Sequence, residues 1–196
     1  MTYRPTPDTS VPTMLSFLCL GMGIVAYIAG AMSDRFAWAF QLACMIGVVA
    51  SLYLLLRWRM TWFVFALRLR EDKTPVWEGE PALAGGMSLR YAPADTLDFI
   101  VVKGQGSRDG AMECVLGLDA LVQAYAVSRK ADGDVPVYDR KAIRAQYPGV
   151  KVYEYIQTYR WDRAVLAVFR DGDGYDALLL DLPEDCEIGK MLIRGN

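Results

Sequence analysis

"FIVVKGQGSRDGAMECVLGLD", residues 99–119, decides how the second half of the chain is read. An apolar run enters a loop with glycines at 104, 106 and 110 and leaves it in a second apolar run. Such a loop is either a phosphate cradle or a turn between two strands. A cradle works by opening a helix, whose free N–H groups and dipole meet the anion. Here Met112, Cys114, Leu116 and Leu118 alternate with Ala111, Glu113, Val115 and Gly117, and a period of two means a strand with one buried face. Asp109 also stands where the third glycine of G-x-G-x-x-G belongs, and no G-K-[ST] is present. The stretch therefore predicts a β-hairpin, with glycines supplying positive φ in the turn.

Strand signals continue on both sides. Upstream, SLRYA, the turn signal Pro93-Ala94-Asp95-Thr96 and LDFIVVKG lead into the hairpin. Downstream, QAYAVS reads as a strand, and residues 139–146 read as a short polar helix that ends before Pro148. Three strands follow in VKVYEYIQTY, RAVLAVFR and YDALLLDLP, joined by turns at Trp161-Asp162 and at DGDG, residues 171–174. DGDGYD is not an EF-hand loop, because Asp176 and Leu182 occupy the positions that need Gly and a bidentate Glu. A closing helix is punctuated by Pro183, by Glu184, Asp185 and Glu187 near its start, and by Lys190, Arg194 and Gly195 near its end. Its apolar stripe is Ile188, Met191 and Leu192.

The first half is of a different kind. Residues 11–32 and 36–56 contain no charged side chain, and each run has about the 20 residues that a helix needs to cross a hydrocarbon core. The two runs predict a transmembrane hairpin. A cleaved signal peptide is the alternative for the first, but such peptides have apolar cores of only about 7–15 residues after a basic start. Arg57, Arg59, Arg68, Arg70 and Lys73 follow the second run and Arg4 precedes the first, whereas the link Ser33-Asp34-Arg35 holds one cation. By the positive-inside rule both termini are cytoplasmic, and the location is a cell membrane crossed twice. Arg57, Trp58, Arg59 and Trp62 form the expected interface belt. Ala39, Ala43, Gly47 and Ser51 on the second helix, with Ala26 and Gly30 on the first, are the expected packing stripe, either within the hairpin or between copies. Gln41 lies near a helix end, and neither span carries an ionisable group of the kind a transport path uses. Residues 57–70 read as a helical extension along the membrane surface, with a strand as the alternative because Phe65, Leu67 and Leu69 alternate with Ala66, Arg68 and Arg70.

This gives three parts: residues 1–60 with the hairpin, 61–86 as a juxtamembrane segment and Pro/Gly/Ala-rich linker, and 87–196 as a mainly-β domain. Chemistry is narrowed by what the chain lacks. It has no histidine, and its four cysteines, Cys19, Cys44, Cys114 and Cys186, have no metal-ligand spacing, so Ser-His and Cys-His pairs are excluded and no cofactor or metal is expected. Hydrolysis by a carboxylate such as Asp162 or Asp181 is the enzymatic alternative. Residues 74–196 hold 14 Lys or Arg against 19 Asp or Glu, which argues against nucleic acid or anionic lipid as a partner of the domain. Tyr153, Tyr155 and Tyr159, with Trp161 beyond, are the expected partner face, since large amphipathic rings anchor interfaces.

Six or seven antiparallel strands closed by one amphipathic helix resemble the pleckstrin-homology-like barrel or sandwich. LDFIVVKGQGS with ECVLGLDALV, and VYEYIQTY followed by AVLAVFRDGDGYDALLLDLPED, carry the likeness to bacterial PH-like proteins in which a transmembrane pair precedes the domain. The absence of a catalytic constellation and the acidic, aromatic-bearing domain predict a non-enzymatic module that recruits or regulates a protein partner at the membrane, or associates with itself. A phosphoinositide-binding member would carry a basic first hairpin loop; Pro93-Ala94-Asp95-Thr96 has no Lys or Arg, so that headgroup is not expected. The other reading is a small accessory subunit of a membrane transport or enzyme complex.

Overall fold

The computed structural model describes residues 1–6, 9–32, 36–69, 97–106 and 110–194. The link 33–35, most of the linker, the strand expected at SLRYA, the turn at 93–96 and Gly195 lie outside them. Among the described residues the chain begins with a short strand β1 (Thr2–Tyr3) and two apolar helices, α1 (Ser10–Ala31) and α2 (Ala37–Leu54). A π-helical turn, Leu55–Met60, leads into β2 (Thr61–Leu69). Then come β3 (Leu97–Gln105), β4 (Ala111–Gly117), β5 (Leu121–Ser128), α3 (Arg140–Gln146), β6 (Lys151–Tyr155), β7 (Arg163–Asp171), β8 (Gly174–Leu180) and α4 (Glu187–Arg194).

The helices α1 and α2, the second continued to Met60, are long and apolar enough to cross a membrane. Only 11% and 6% of their most apolar stretches are buried within the protein. Side chains such as Phe17, Val25, Trp38 and Met45 point outward and uncovered. What the helices bury is a narrow seam against each other. Ser16 and Ser51 share a hydrogen bond of 2.8 Å between their hydroxyls. A Cβ on Gly47 would stand 2.7 Å from the Cys19 carbonyl oxygen, and one on Gly23 would stand 3.3 Å from that of Cys44. Gly30 meets Phe40 in the same way, at 2.9 Å. The seam thus steps by three and four alternately, through 16, 19, 23 and 30 on α1 and 40, 44, 47 and 51 on α2. Of the stripe expected from sequence, Gly30, Gly47 and Ser51 line it; Ala43 is exposed, and Ala26 and Ala39 are half-buried. A strict four-residue repeat drifts about 40° per step around a helix of 3.6 residues per turn, so it leaves the contact after two steps.

Beyond Met60 the expected surface helix does not continue. Thr61–Leu69 pairs with β3 over nine residues, from Thr61 opposite Gln105 to Leu69 opposite Leu97. It is a central strand with both faces buried: Phe63, Phe65 and Leu67 on one side, Val64 and Ala66 on the other. β1 adds to its free edge, with the Met1 ammonium donating to the Leu67 carbonyl at 2.8 Å. The N-terminus therefore lies at the same end of the helical hairpin as the domain that follows it.

Among the described residues the domain has two four-stranded sheets, ordered β1-β2-β3-β4 and β5-β7-β8-β6. Their facing sides share one core, in which Phe63, Phe65, Phe99 and Phe169 stack in sequence at centroid separations of 6.1–6.4 Å. α4 closes one end of this core with Ile188 and Leu192, while Met191 stays 37% exposed. α4 begins at Glu187 and not at Pro183, because residues 183–186 form a turn in which the Cys186 N–H donates to the Pro183 carbonyl. α3, capped by Asp139 accepting from the Lys141 N–H at 2.8 Å, lays Ile143 on the outer face of the second sheet.

Two features depart from the antiparallel plan. β6 pairs with β8 in parallel, not with its sequence neighbour β7. The pairing of β3 with β4 also shifts between Val101, opposite Cys114, and Val102, opposite Met112. Glu113 is the extra residue of a bulge there. Cys114 and Leu116 consequently face the main core, while Met112 turns to the other side with Val115.

Candidate functional site at the hairpin-domain junction

The glycines of the 99–119 hairpin acquire a physical role here. Gly106 has φ +64° and makes the turn. Gly104 and Gly110 are glycine for another reason: the Trp62 indole lies on both, where a Cβ on Gly104 would collide with the six-membered ring and one on Gly110 would stand 2.6 Å from it. Trp62 Nε1 donates to the Gly106 carbonyl at 3.1 Å, and the Arg4 guanidinium sits 5.0 Å above the ring. Trp62 thus belongs to β2 and packs on both glycines of the neighbouring hairpin.

Arg57 and Trp58 are likewise turned inward, while Arg59 stays exposed. Arg57 Nη2 donates to the Ile156 carbonyl at 2.9 Å, and its guanidinium stacks 4.4 Å from the Trp58 ring centroid. Trp58 meets Tyr159 edge-on at 5.2 Å. The Thr61 hydroxyl donates to the Leu56 carbonyl at 2.7 Å, and the Phe63 N–H points at Gln157 Oε1. The segment that receives these contacts, residues 156–159, is itself held by one carboxylate. Asp181 Oδ2 accepts from the Gln157 N–H at 3.0 Å and from the Thr158 N–H and hydroxyl at 2.8 Å each. Sequence reading missed this junction, because it pairs residues about 100 positions apart and Arg57 resembles any other cation following a span.

The four expected partner-face aromatics do not form one face. Tyr153 stacks on Tyr155 at 6.4 Å, but Tyr155 points into the core while Tyr153 is 39% exposed on the edge strand β6. Tyr159 packs on Trp58, and Trp161 packs edge-on against Tyr138 at 6.1 Å. β6 ends at Tyr155, so the two-residue alternation stops before Tyr159. Around Tyr155, burial and a hydrogen bond to Cys114 push its hydroxyl pKa up, and burial pushes the Cys114 thiol up to about 11. Both stay protonated and inert near neutral pH. Asp162 is exposed, and its backbone carbonyl accepts from the Arg129 N–H at 3.0 Å. Among the described residues no group of three or more Cys, Asp or Glu is placed to hold a metal ion. Comparison with protein-family models, curated proteins and solved structures returns no match for this chain.

Proposed function

We propose that the protein is a membrane-anchored interaction module without catalytic activity. Its hairpin crosses the cell membrane with both termini cytoplasmic, and its PH-like domain recruits or regulates a protein partner at that face. The observation that carries this reading is the bare apolar surface of α1 and α2 beside a folded, polar-surfaced domain. Such side chains lose about 25 cal/mol per Å² when left in water, and lipid removes that cost. The fixed junction at Arg57, Trp58 and Thr61 supports a domain held in one orientation to the bilayer, as recruitment to a surface requires. The partner contact is Tyr153 on the β6 edge, an exposed ring backed by Tyr155. Crosslinking the full chain in its native membrane and identifying what is joined to it tests the reading. A stoichiometric protein joined through the domain, and lost on Tyr153→Ala, is expected; recovery of the chain alone overturns it.

One observation favours a second reading, an accessory subunit of a membrane complex. Ala43 is exposed outside the hairpin's own seam, with the half-buried Ala39 one turn before it, which leaves a small residue on α2 open to a further helix. In that case the crosslinked partner is joined through the spans, and Ala43→Leu removes it.

A further inference from the structure

A cavity of about 330 Å³ opens where α2 ends and the two sheets begin. It is lined by Tyr53 and Leu56, outward-facing side chains of the last turns of the second apolar helix, and by Phe63 and Tyr155, one from each sheet. The lining also includes two cations, Arg57 and Lys103. Arg57 is only partly satisfied: Nη2 has the Ile156 carbonyl, but Nη1 is buried with no acceptor, and among the described residues no carboxylate lies within ion-pair distance of it. Lys103 is tied to Glu113 at 3.0 Å in a pair that is about half exposed and so readily exchanged. Glu154, the one carboxylate of the lining, accepts from the Tyr138 hydroxyl at 2.9 Å.

We infer that this cavity holds the phosphate of a membrane phospholipid, an assignment that rests on the hairpin's lying in the bilayer. A cation directly after a span lies at the depth of lipid phosphates. Arg57 and Lys103 bring two positive charges to the cavity lining, and phosphate oxygens suit both a guanidinium and an ammonium. The Tyr53 and Leu56 wall continues the lipid-exposed surface of α2, so acyl chains extend from the cavity into the hydrocarbon without crossing water. Inorganic phosphate shares the anion chemistry but has nothing to lay on that wall. The volume falls within the range of sites for small ligands, about 300–1,000 Å³.

The test uses the full chain in vesicles of phosphatidylethanolamine and phosphatidylglycerol, with photoreactive benzoylphenylalanine at Gln105, which lines the cavity. Irradiation is expected to give a phospholipid adduct at residue 105. None is expected from the same probe at Asp173, in the turn at the opposite end of β7 and β8. Lys103→Glu, a substitution at an exposed site, should cut the adduct about tenfold, the loss of one charge-assisted contact. Excess inorganic phosphate should leave it unchanged. An absent adduct, or one indifferent to Lys103→Glu, overturns the inference; displacement by inorganic phosphate overturns the lipid and leaves a free-anion site. Alkaline extraction of the same vesicles separates the two levels. Release of the chain sinks the membrane reading itself, whereas retention without an adduct sinks the cavity assignment alone.

Discussion

Gly47→Ala should force the two apolar helices apart. The new Cβ would stand 2.7 Å from the Cys19 carbonyl oxygen, 3.2 Å from Gly23 Cα and 3.3 Å from Gly23 N. Ordinary carbon contacts lie at about 3.5–4.0 Å, and all three neighbours are backbone, so no side chain can swing away. The helices must separate by roughly 0.5–1 Å, an overpacking that costs about 1–3 kcal/mol. The same separation stretches the Ser16 to Ser51 hydrogen bond one turn away. An interhelical hydrogen bond in lipid averages about 0.6 kcal/mol, so the total is about 1.5–3.5 kcal/mol. Ala43→Leu, on an exposed position of the same helix, should cost under about 0.5 kcal/mol. Steric trapping in mild detergent, with paired binding tags on the two helices, measures both. A Gly47→Ala hairpin as stable as the parent, or an Ala43→Leu hairpin equally weakened, would refute a seam stepping by three and four.

Further outcomes follow from the domain. Phe99→Ala removes the ring stacked between Phe65 and Phe169 from a fully buried site and should cost about 3–5 kcal/mol, read by chemical denaturation of the full chain in micelles. Gly104→Ala should destabilise through collision with Trp62, and Trp62→Ala should relieve most of that loss in a double-mutant cycle; additive effects would contradict the packing. Cys114, with its pKa pushed up to about 11 from an ordinary 9.0, should react with iodoacetamide roughly 100-fold more slowly than an unperturbed thiol at neutral pH, by its thiolate fraction. The same raised pKa fixes a sign for stability. The contribution is complete below pH 9 and is lost as pH rises through 11, so Cys114→Ala should flatten the alkaline limb of the stability curve.

How far the sequence could be read depended on whether each element is amphipathic or buried all round. The two apolar runs at 11–32 and 36–56 match α1 and α2 closely, because uncharged length is an unambiguous signal. β3 with β4, and β7 with β8, were legible from their turns, and α3 from its polar residues and Pro148. β2 was legible only as the alternative to a surface helix, since most of TWFVFALRL is buried on both faces and the two-residue alternation shows only near its end. β1 is two residues long and exists only because β2 offers it an edge. The bulge at Glu113 and the parallel pairing of β6 arise from partners distant in sequence, which periodicity does not record. At the junction, Trp58 and Trp62 were read as membrane belt residues from their position. Their contacts with Tyr159 and with Gly104 and Gly110 come from tertiary packing alone.

The most direct test of the hairpin asks which ends of the chain share a side of the membrane. Cys19, Cys44 and Cys186 are replaced by alanine, the half-buried Cys114 with its raised pKa is left in place, and one further cysteine is introduced as Ser33→Cys or as Lys130→Cys on the domain surface. Right-side-out vesicles are then treated with a membrane-impermeant maleimide. Labelling at position 33 without permeabilisation, and at position 130 only after it, is the result a two-span hairpin with a cytoplasmic domain predicts. Equal access to both positions from one side would contradict it.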